Sequence, residues 1–429
     1  MADDLGYGDL ACYGRQDIKT PVIDAIASEG VRFTNYYANG PECTPTRAAF
    51  LTGRYQHRVG GLECAIGTGN TGRYDDAIRL RESNDLGLPV EETSIARMLR
   101  DAGYATAITG KWHLGYEPKF APHLHGFDHA FYCIGGGMDY FHYLDNLAGY
   151  NLFLNGNPVR REGYFTDLAT EEAIKFIEKH ANEPFFLYVP YTAPHAPFQG
   201  PDDYRPDPLA LDSPLWEQGK APPTVYIAMI EHIDKCIGRI LKVLNAKGLT
   251  EKTVVIFCSD NGGTGSASNA PLSGIKGSTF EGGIRVPAMA RWPGVIPKGL
   301  VSSQVCITMD FSASIVRIAG PTVPPGRQFD GIDVLRLVET GQPPQKRTLF
   351  WRARRGGQTW WAVRDGDLKY IRCTNKGATD EYLFDLNKDI GEKNSLLANR
   401  PPQDALWRNE AGRLKALLAD WERQVQHSR

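Results

Sequence analysis

Short apolar runs rich in β-branched and aromatic residues alternate along the chain with amphipathic stretches, the pattern of a sheet covered by helices on both faces. The runs Ala105–Thr109, Phe185–Tyr191, Thr253–Ser259 and Val286–Trp292 carry few charges and predict strands buried on both sides. Between them Ile230, Ile233, Ile237, Leu241 and Leu244 recur at spacings of 3, 4, 4 and 3, one face of a helix. Glu92–Ala102, closed by Gly103, predicts a second helix, and Asp167–His180 a third.

Proline and glycine then divide the chain. They are dense over Pro197–Pro223, which predicts a long irregular excursion, and over Pro321–Pro344, which predicts a boundary. Beyond it Arg347–Trp351, Trp360–Arg364 and Leu368–Arg372 follow in hairpin order, ahead of a closing helix around Asp404–Gln426. The fold class is therefore α/β: a mixed, mostly parallel sheet sandwiched by helices in a large domain at 1–345, with a small antiparallel sheet plus helix in a C-terminal subdomain at 346–429. A chain of 429 residues is long enough for both.

Charge and cysteine usage narrow the function. A formal net charge of −2 gives no global reason to bind nucleic acid or anionic membranes, so any attraction for an anionic substrate must be local. No apolar run approaches the roughly 20 residues that span a bilayer. The eight cysteines contain no CxxC pair, which gives neither a zinc site nor an obvious disulfide framework, while a pairing such as Cys12–Cys64 stays open.

Two acidic pairs stand out. Asp3-Asp4 and Asp260-Asn261 offer hard oxygen ligands, which select calcium or magnesium over zinc. Either pair alone reads as solvated turn residues; two at strand ends, flanking a cysteine segment, favour a metal site. Lys111, His113, His195, Lys276 and Arg47 each sit in a Gly- or Pro-rich setting after a strand or turn. Singly such groups are surface residues, but together they offer fixed positive charge around an anion and a proton donor for a leaving oxygen.

The segment Cys43-Thr44-Pro45-Thr46-Arg47 has the C-x-P-x-R form, although Pro45 alone could mark the first turn of a helix. Asp3-Asp4-Leu5-Gly6, Gly110-Lys111-Trp112-His113, Pro194-His195-Ala196-Pro197, Ser259-Asp260-Asn261-Gly262 and Lys276-Gly277-Ser278-Thr279 accompany it. With them the chain resembles the type I, formylglycine-dependent sulfatases of the alkaline phosphatase superfamily. The resemblance implies that a maturation enzyme oxidises Cys43 to Cα-formylglycine. It implies one divalent cation, usually calcium with magnesium as the other option, held by Asp3, Asp4, modified residue 43, Asp260 and Asn261. It further implies a hydrated aldehyde as nucleophile, steadied by Arg47 and relieved of its protons by Asp260 and His113. Lys111 then grips the sulfate, while His195 and Lys276 protonate the departing alcohol.

Two departures are visible, Thr46 where serine is commoner and Glu42 beside the cysteine. In open α/β sheets functional residues follow strands, which predicts a strand of about five or six residues before Asp3. Only Met1 and Ala2 stand there, so Met1 reads as an internal methionine, and the compartment is left open because a leader would lie upstream. For substrate binding, Asp139, Tyr140 and His142 after Gly135-Gly136-Gly137 offer sugar-like hydrogen bonds or, equally, a glycine-rich turn. Trp351, Trp360, Trp361 and Arg352-Ala353-Arg354-Arg355 mix aromatic platforms with cations, although tryptophans serve small cores as often. The reading is a sulfuric ester hydrolase for a sulfated carbohydrate or aryl sulfate. A phosphatase or phosphonate monoester hydrolase of the same superfamily is the alternative, and a silent binding protein the third if Cys43 is not matured.

Overall fold

The computed structural model describes residues 1–398 and 405–426. Its large unit contains strands Val31–Phe33 (β1), Ala105–Lys111 (β2), His129–Cys133 (β3), Phe153–Leu154 (β4), Asn157–Pro158 (β5), Phe185–Tyr188 (β6), Val255–Cys258 (β7), Ala288–Arg291 (β8) and Leu300–Ser302 (β9). They pair in the orders β5-β4-β3-β2-β6 and β7-β8-β1-β9. β2 runs parallel to β3 and β6, and β9 parallel to β1. The pairs β3-β4, β4-β5, β7-β8 and β1-β8 are antiparallel.

Residues 1–3 join the two halves. On one side the Tyr191 N–H donates to Met1 O (2.9 Å) and the Asp3 N–H to Ala193 O (3.2 Å); on the other the Ala2 N–H donates to Cys258 O (2.9 Å) and the Asp260 N–H to Ala2 O (3.2 Å). Ala2 and Ser259 form a parallel bridge. Asp3 and Asp4 thus stand beside the carboxyl end of β7, where an open α/β sheet carries its chemistry. Below them an apolar cleft of about 690 Å³ lies between β6 and β7.

Helices cover both faces. Pro21–Ser28 (α1), Phe165–Lys179 and Pro223–Ala246 lie on one, and Cys43–Thr52 (α2), Ile95–Asp101 (α3) and Thr308–Ala319 on the other. Ile23, Leu168, Ile230 and Ile233 share one core with Phe257, whereas Leu51, Met98 and Phe311 share the other with Cys258. Neighbouring strand residues therefore point to opposite cores. Helix α3 starts where Ser94 caps it, its Oγ accepting the Arg97 N–H at 3.0 Å.

The C-terminal sheet is a meander of Thr348–Arg355 (β10), Gln358–Asp365 (β11), Leu368–Asn375 (β12) and Ala378–Asp385 (β13). Helix Ala405–Gln424 packs on it through Leu414, Leu418 and Trp421. Asp404 of the expected helix lies outside the described residues. β13 is one strand more than the sequence pattern predicts, because its first half, Ala378–Glu381, is exposed and polar. Tyr37, Tyr55, Ile284 and Met309 of the large unit join this core. All eight cysteines are free, so the open Cys12–Cys64 pairing is not made. Among the described residues no helix is long and apolar enough to cross a membrane.

Glu63 fastens the sheet to the large unit. Its fully buried carboxylate accepts from both Arg352 (2.8 Å) and Arg354 (2.9 Å). Burial alone would raise its pKa, but His57 and the two guanidiniums hold it down at about 2. Glu63→Gln is expected to cost about 3–5 kcal/mol, as removing one partner of a buried ion pair does. Urea unfolding checks this; a loss below about 1 kcal/mol, the range of exposed pairs, would refute the clamp.

Candidate active site

Helix α2 begins at Cys43, and all of its residues from Cys43 to Thr52 are buried, Arg47 included. Such a helix is set by its polar contacts as much as by an apolar stripe. The Thr46 hydroxyl accepts the Gly40 N–H (3.2 Å) and reaches Gly40 O (3.3 Å), so the hydroxyl kept by this departure ties the preceding loop to the helix. Thr44 Oγ1 donates to His113 O (3.0 Å) and accepts the Ile66 N–H (3.2 Å).

The structure brings the expected charged groups together. Cys43 Sγ lies 3.4 Å from Asp3 Oδ1, and Lys111 Nζ donates to Asp3 Oδ2 at 2.5 Å. Arg47 donates through Nη2 (2.7 Å) and Nε (3.1 Å) to Asp260 Oδ2 and through Nη1 to Lys111 O (3.0 Å). Lys276 Nζ donates to Asp4 Oδ2 (2.8 Å), and Asn261 Nδ2 to Asp4 Oδ1 (2.7 Å). Three carboxylates and three cations share one buried volume.

Two of these residues are held in an uncommon backbone state. Asp4 and His113 have φ of 63° and 55°, the left-handed region, at a cost on the order of 1–3 kcal/mol each. Glycines close the site from the other side. A Cβ on Gly136 would lie 2.9 Å from His113 Cε1, and one on Gly137 2.6 Å from Ala196 O and 3.0 Å from His195 Nδ1. Gly136 and Gly137 are thus required by the approach of their backbone to the two imidazoles, whereas Gly135 is required by Asp145, whose Oδ2 would lie 2.6 Å from a Cβ there.

The imidazoles differ in their partners. His113 pairs through Nε2 with Ile66 O (2.8 Å), so Nε2 carries the proton and Nδ1, buried and without a hydrogen-bond partner, is the basic nitrogen. His195 pairs through Nδ1 with Ala196 O (2.5 Å), and its Nε2 accepts from the Gln218 amide at 3.0 Å. Gln218 stands on the exposed excursion and has no motif around it; sequence reasoning missed it.

Burial combined with neighbouring charge sets the protonation states. Burial and the Asp3 carboxylate push the Cys43 thiol well above its ordinary value, so the unmodified residue is a thiol and not a thiolate. Burial would raise Asp4, but Lys276 and His195 bring it down to about 2. Burial and the Asp3 charge raise Asp260 against the pull of Arg47. Burial and Lys276 lower His195 to about 3, and burial and Lys111 lower His113 well below the usual imidazole value. Both rings are neutral at pH 7.

The donor set fits a hard divalent cation. Asp3, Asp4 and Asp260 supply carboxylates, and Asn261 Oδ1 is buried with no hydrogen-bond partner. Asp3, Asp4, Cys43 and His195 each place a ligand-capable atom within 4.8 Å of the others. Oxygen dominates, as calcium and magnesium require.

The residues expected to bind sugar are placed differently. Asp139 is buried, and its carboxylate accepts the N–H groups of Phe141, His142 (both 2.9 Å) and Leu209 (2.7 Å). Tyr140 is fully buried, and its hydroxyl donates to His195 O at 2.9 Å. Neither presents a group to a sugar; they hold the loop and the His195 main chain. His142 is half-buried, with Nε2 2.9 Å from Arg205 O, against the excursion. Trp351 is a core residue donating to Ala38 O, and Arg352 and Arg354 are taken up by Glu63.

The comparisons with known proteins agree with this geometry. Residues 1–321 match the family model described as Sulfatase, and residues 276–418 the one described as N-sulphoglucosamine sulphohydrolase, C-terminal. N-acetylgalactosamine-6-sulfatase of Canis lupus familiaris is 34% identical over 404 residues, covering 89% of this chain and 72% of the relative. The solved structure of Ps i-CgsB in complex with k-i-k-neocarrahexaose superposes with a TM-score of 0.82 at 30% identity, covering 98% of this chain and 91% of that one. The phosphonate monoester hydrolase of Agrobacterium radiobacter, at TM-score 0.67 and 20% identity over 98% of this chain and 95% of its own, shares the fold.

Proposed function

The chain belongs to the sulfatase family and is a sulfuric ester hydrolase, and we propose that its substrate is a sulfated carbohydrate cleaved at the Cys43 centre with calcium as the divalent cation. The observation that carries this reading is the packing of Cys43, three carboxylates and three cations into one buried volume at the sheet's carboxyl end. Relatives point to the substrate class: one is named for N-acetylgalactosamine 6-sulfate cleavage, and another was solved with k-i-k-neocarrahexaose.

Formylglycine made from Cys43 by a maturation enzyme, together with a divalent cation on Asp3, Asp4, Asp260 and Asn261, supplies an oxygen nucleophile for sulfur that a buried thiol does not. The surrounding residues do the rest. Lys111 and Lys276, which donate to Asp3 and Asp4, would be free to face the sulfate oxygens and offset the charge that develops there if a cation took up those carboxylates. Arg47, fixed by Asp260 and Lys111 O, orients residue 43. His113 accepts a proton at Nδ1. Lys276 stands on the Asp4 side, 2.7 Å from that carboxylate, and carries the proton for the leaving alcohol, while neutral His195, 3.7 Å from the same carboxylate, stands beside it and positions it. The phosphonate hydrolase alternative rests on fold likeness alone. Initial rates on 4-nitrophenyl sulfate against the corresponding phosphate and phosphonate esters test the assignment; a preference for either phosphorus ester would overturn it.

Gln218 sharpens this test. By donating to His195 Nε2 it fixes the ring that stands with Lys276 on the leaving-group side. Gln218→Ala is expected to lower kcat about tenfold on a sulfated sugar, the equivalent of one hydrogen bond. On 4-nitrophenyl sulfate, whose leaving group departs without a proton, the loss should stay within about twofold. Equal losses on both esters would show that Gln218 does not act through His195.

A further inference from the structure

Beside the sulfate site lies a cavity of about 300 Å³, bounded by Glu42, Lys276 and Ser278 on one side and by Arg355, Gln358 and Trp360 of the β10–β11 hairpin on the other. We propose that this cavity is a subsite for an anionic sugar unit, one carrying a carboxylate or a second sulfate, linked to the sugar whose ester is cleaved. The proposal rests on the saccharide reading above and adds that the enzyme reads the neighbouring unit of a chain.

Position is the first argument. Glu42 immediately precedes Cys43, and Lys276 places its ammonium on Asp4, so the cavity shares a wall with the catalytic centre. A volume of this size is at the small end of ligand pockets, about right for one sugar ring.

The chemistry of the lining is the second. Glu42, 3% exposed at its side chain, accepts the Ala65 N–H at 2.6 Å and Arg355 Nη1 at 2.6 Å. This pair anchors the guanidinium at the cavity while its side chain remains 54% exposed, and a guanidinium has further N–H groups in a fork that matches a carboxylate or sulfate. As a plain salt bridge the pair would add little, since an exposed arginine is screened. Trp360 supplies the apolar wall; its ring is braced edge-to-face on Phe280 at 5.7 Å. Cation, indole, amide and hydroxyl in one pocket suit a charged sugar better than a neutral one.

The assignment also gives Glu42 a use. The residue is 313 positions from Arg355 in sequence, yet it links the nucleophile's own segment to the C-terminal hairpin, so one short stretch aligns the reacting sugar with its neighbour.

The experiment compares kcat/KM of the matured, metal-loaded enzyme on a sulfated disaccharide bearing a uronate or second sulfate with that on the matching sulfated monosaccharide. Wild-type enzyme is expected to prefer the disaccharide by at least about tenfold, mainly through KM, the equivalent of one charge-assisted contact. Arg355→Lys keeps a positive charge for Glu42 but loses the fork, and it should cut the preference to within about threefold. Trp360→Ala should do the same with the monosaccharide rate little changed, and Gln358→Ala, at the hairpin end, supplies a variant should Trp360→Ala unfold. No wild-type preference, or equal losses on both substrates in folded variants, overturns the subsite. Hydrolysis of 4-nitrophenyl sulfate with no saccharide sulfate cleaved overturns instead the reading on which it rests.

Discussion

Cys43→Ala protein is expected to fold and to hydrolyse no sulfate ester. The side chain is buried at the start of α2, 3.4 Å from Asp3 Oδ1, and its thiol is pushed up by burial and by that carboxylate. Neither fact suits a thiolate nucleophile, and attack by sulfur would leave a thiosulfate ester with no easy exit. The residue matters instead as the precursor of an aldehyde, and alanine has no atom to oxidise. Cys43→Ser should be equally inactive in a host that converts only cysteine. The fold should survive because one small side chain is removed, at a cost of about 1 kcal/mol or a few degrees in Tm. Turnover of 4-nitrophenyl sulfate measures activity, and mass spectrometry of the peptide containing residue 43 measures conversion. Substantial turnover by Cys43→Ala would overturn the mechanism.

That prediction rests on residues legible in sequence, and the reason is local. Lys111 closes β2, and His113 and Asp260 lie within two residues after β2 and β7, so the pattern that predicts these strands also places all three at the sheet's carboxyl end. Long-range satisfaction is what the sequence hides. Asp139 and Tyr140 look like sugar contacts until burial shows the carboxylate taken up by three N–H groups and the phenol by His195 O. Gln218 lies in an irregular stretch with no periodicity to mark it. β13 was concealed by its exposed polar half, and Trp351 by the even balance between core and surface roles. The mixture of parallel and antiparallel strand pairs depends on pairing between segments as distant as Val31 and Ala290, which no local pattern records.

The second large effect is expected from the oxygen cluster. Stripping divalent cations from the matured enzyme with a strong chelator should lower kcat at least about a thousandfold, because a metal that orients substrate and acidifies its oxygen ligand contributes several kcal/mol. Asp260→Ala should do the same, but for two reasons at once. It removes a ligand and also leaves Arg47, which donates twice to Asp260 Oδ2, with a lost partner in a buried place. Asn261→Ala separates them. The Asn261 amide oxygen has no other hydrogen-bond partner, and its nitrogen touches Asp4 and Gly262 O and not Arg47. This variant should therefore lose activity chiefly by weaker metal affinity, recovering toward wild type as calcium is raised, whereas Asp260→Ala should not recover. Rescue of the chelated enzyme should be best with calcium, then magnesium, since four hard oxygen donors favour those ions. If zinc alone restored turnover, or if chelation left kcat unchanged while the metal was shown to be gone, the cluster would have to be read as an ion-pair network and not as a metal centre.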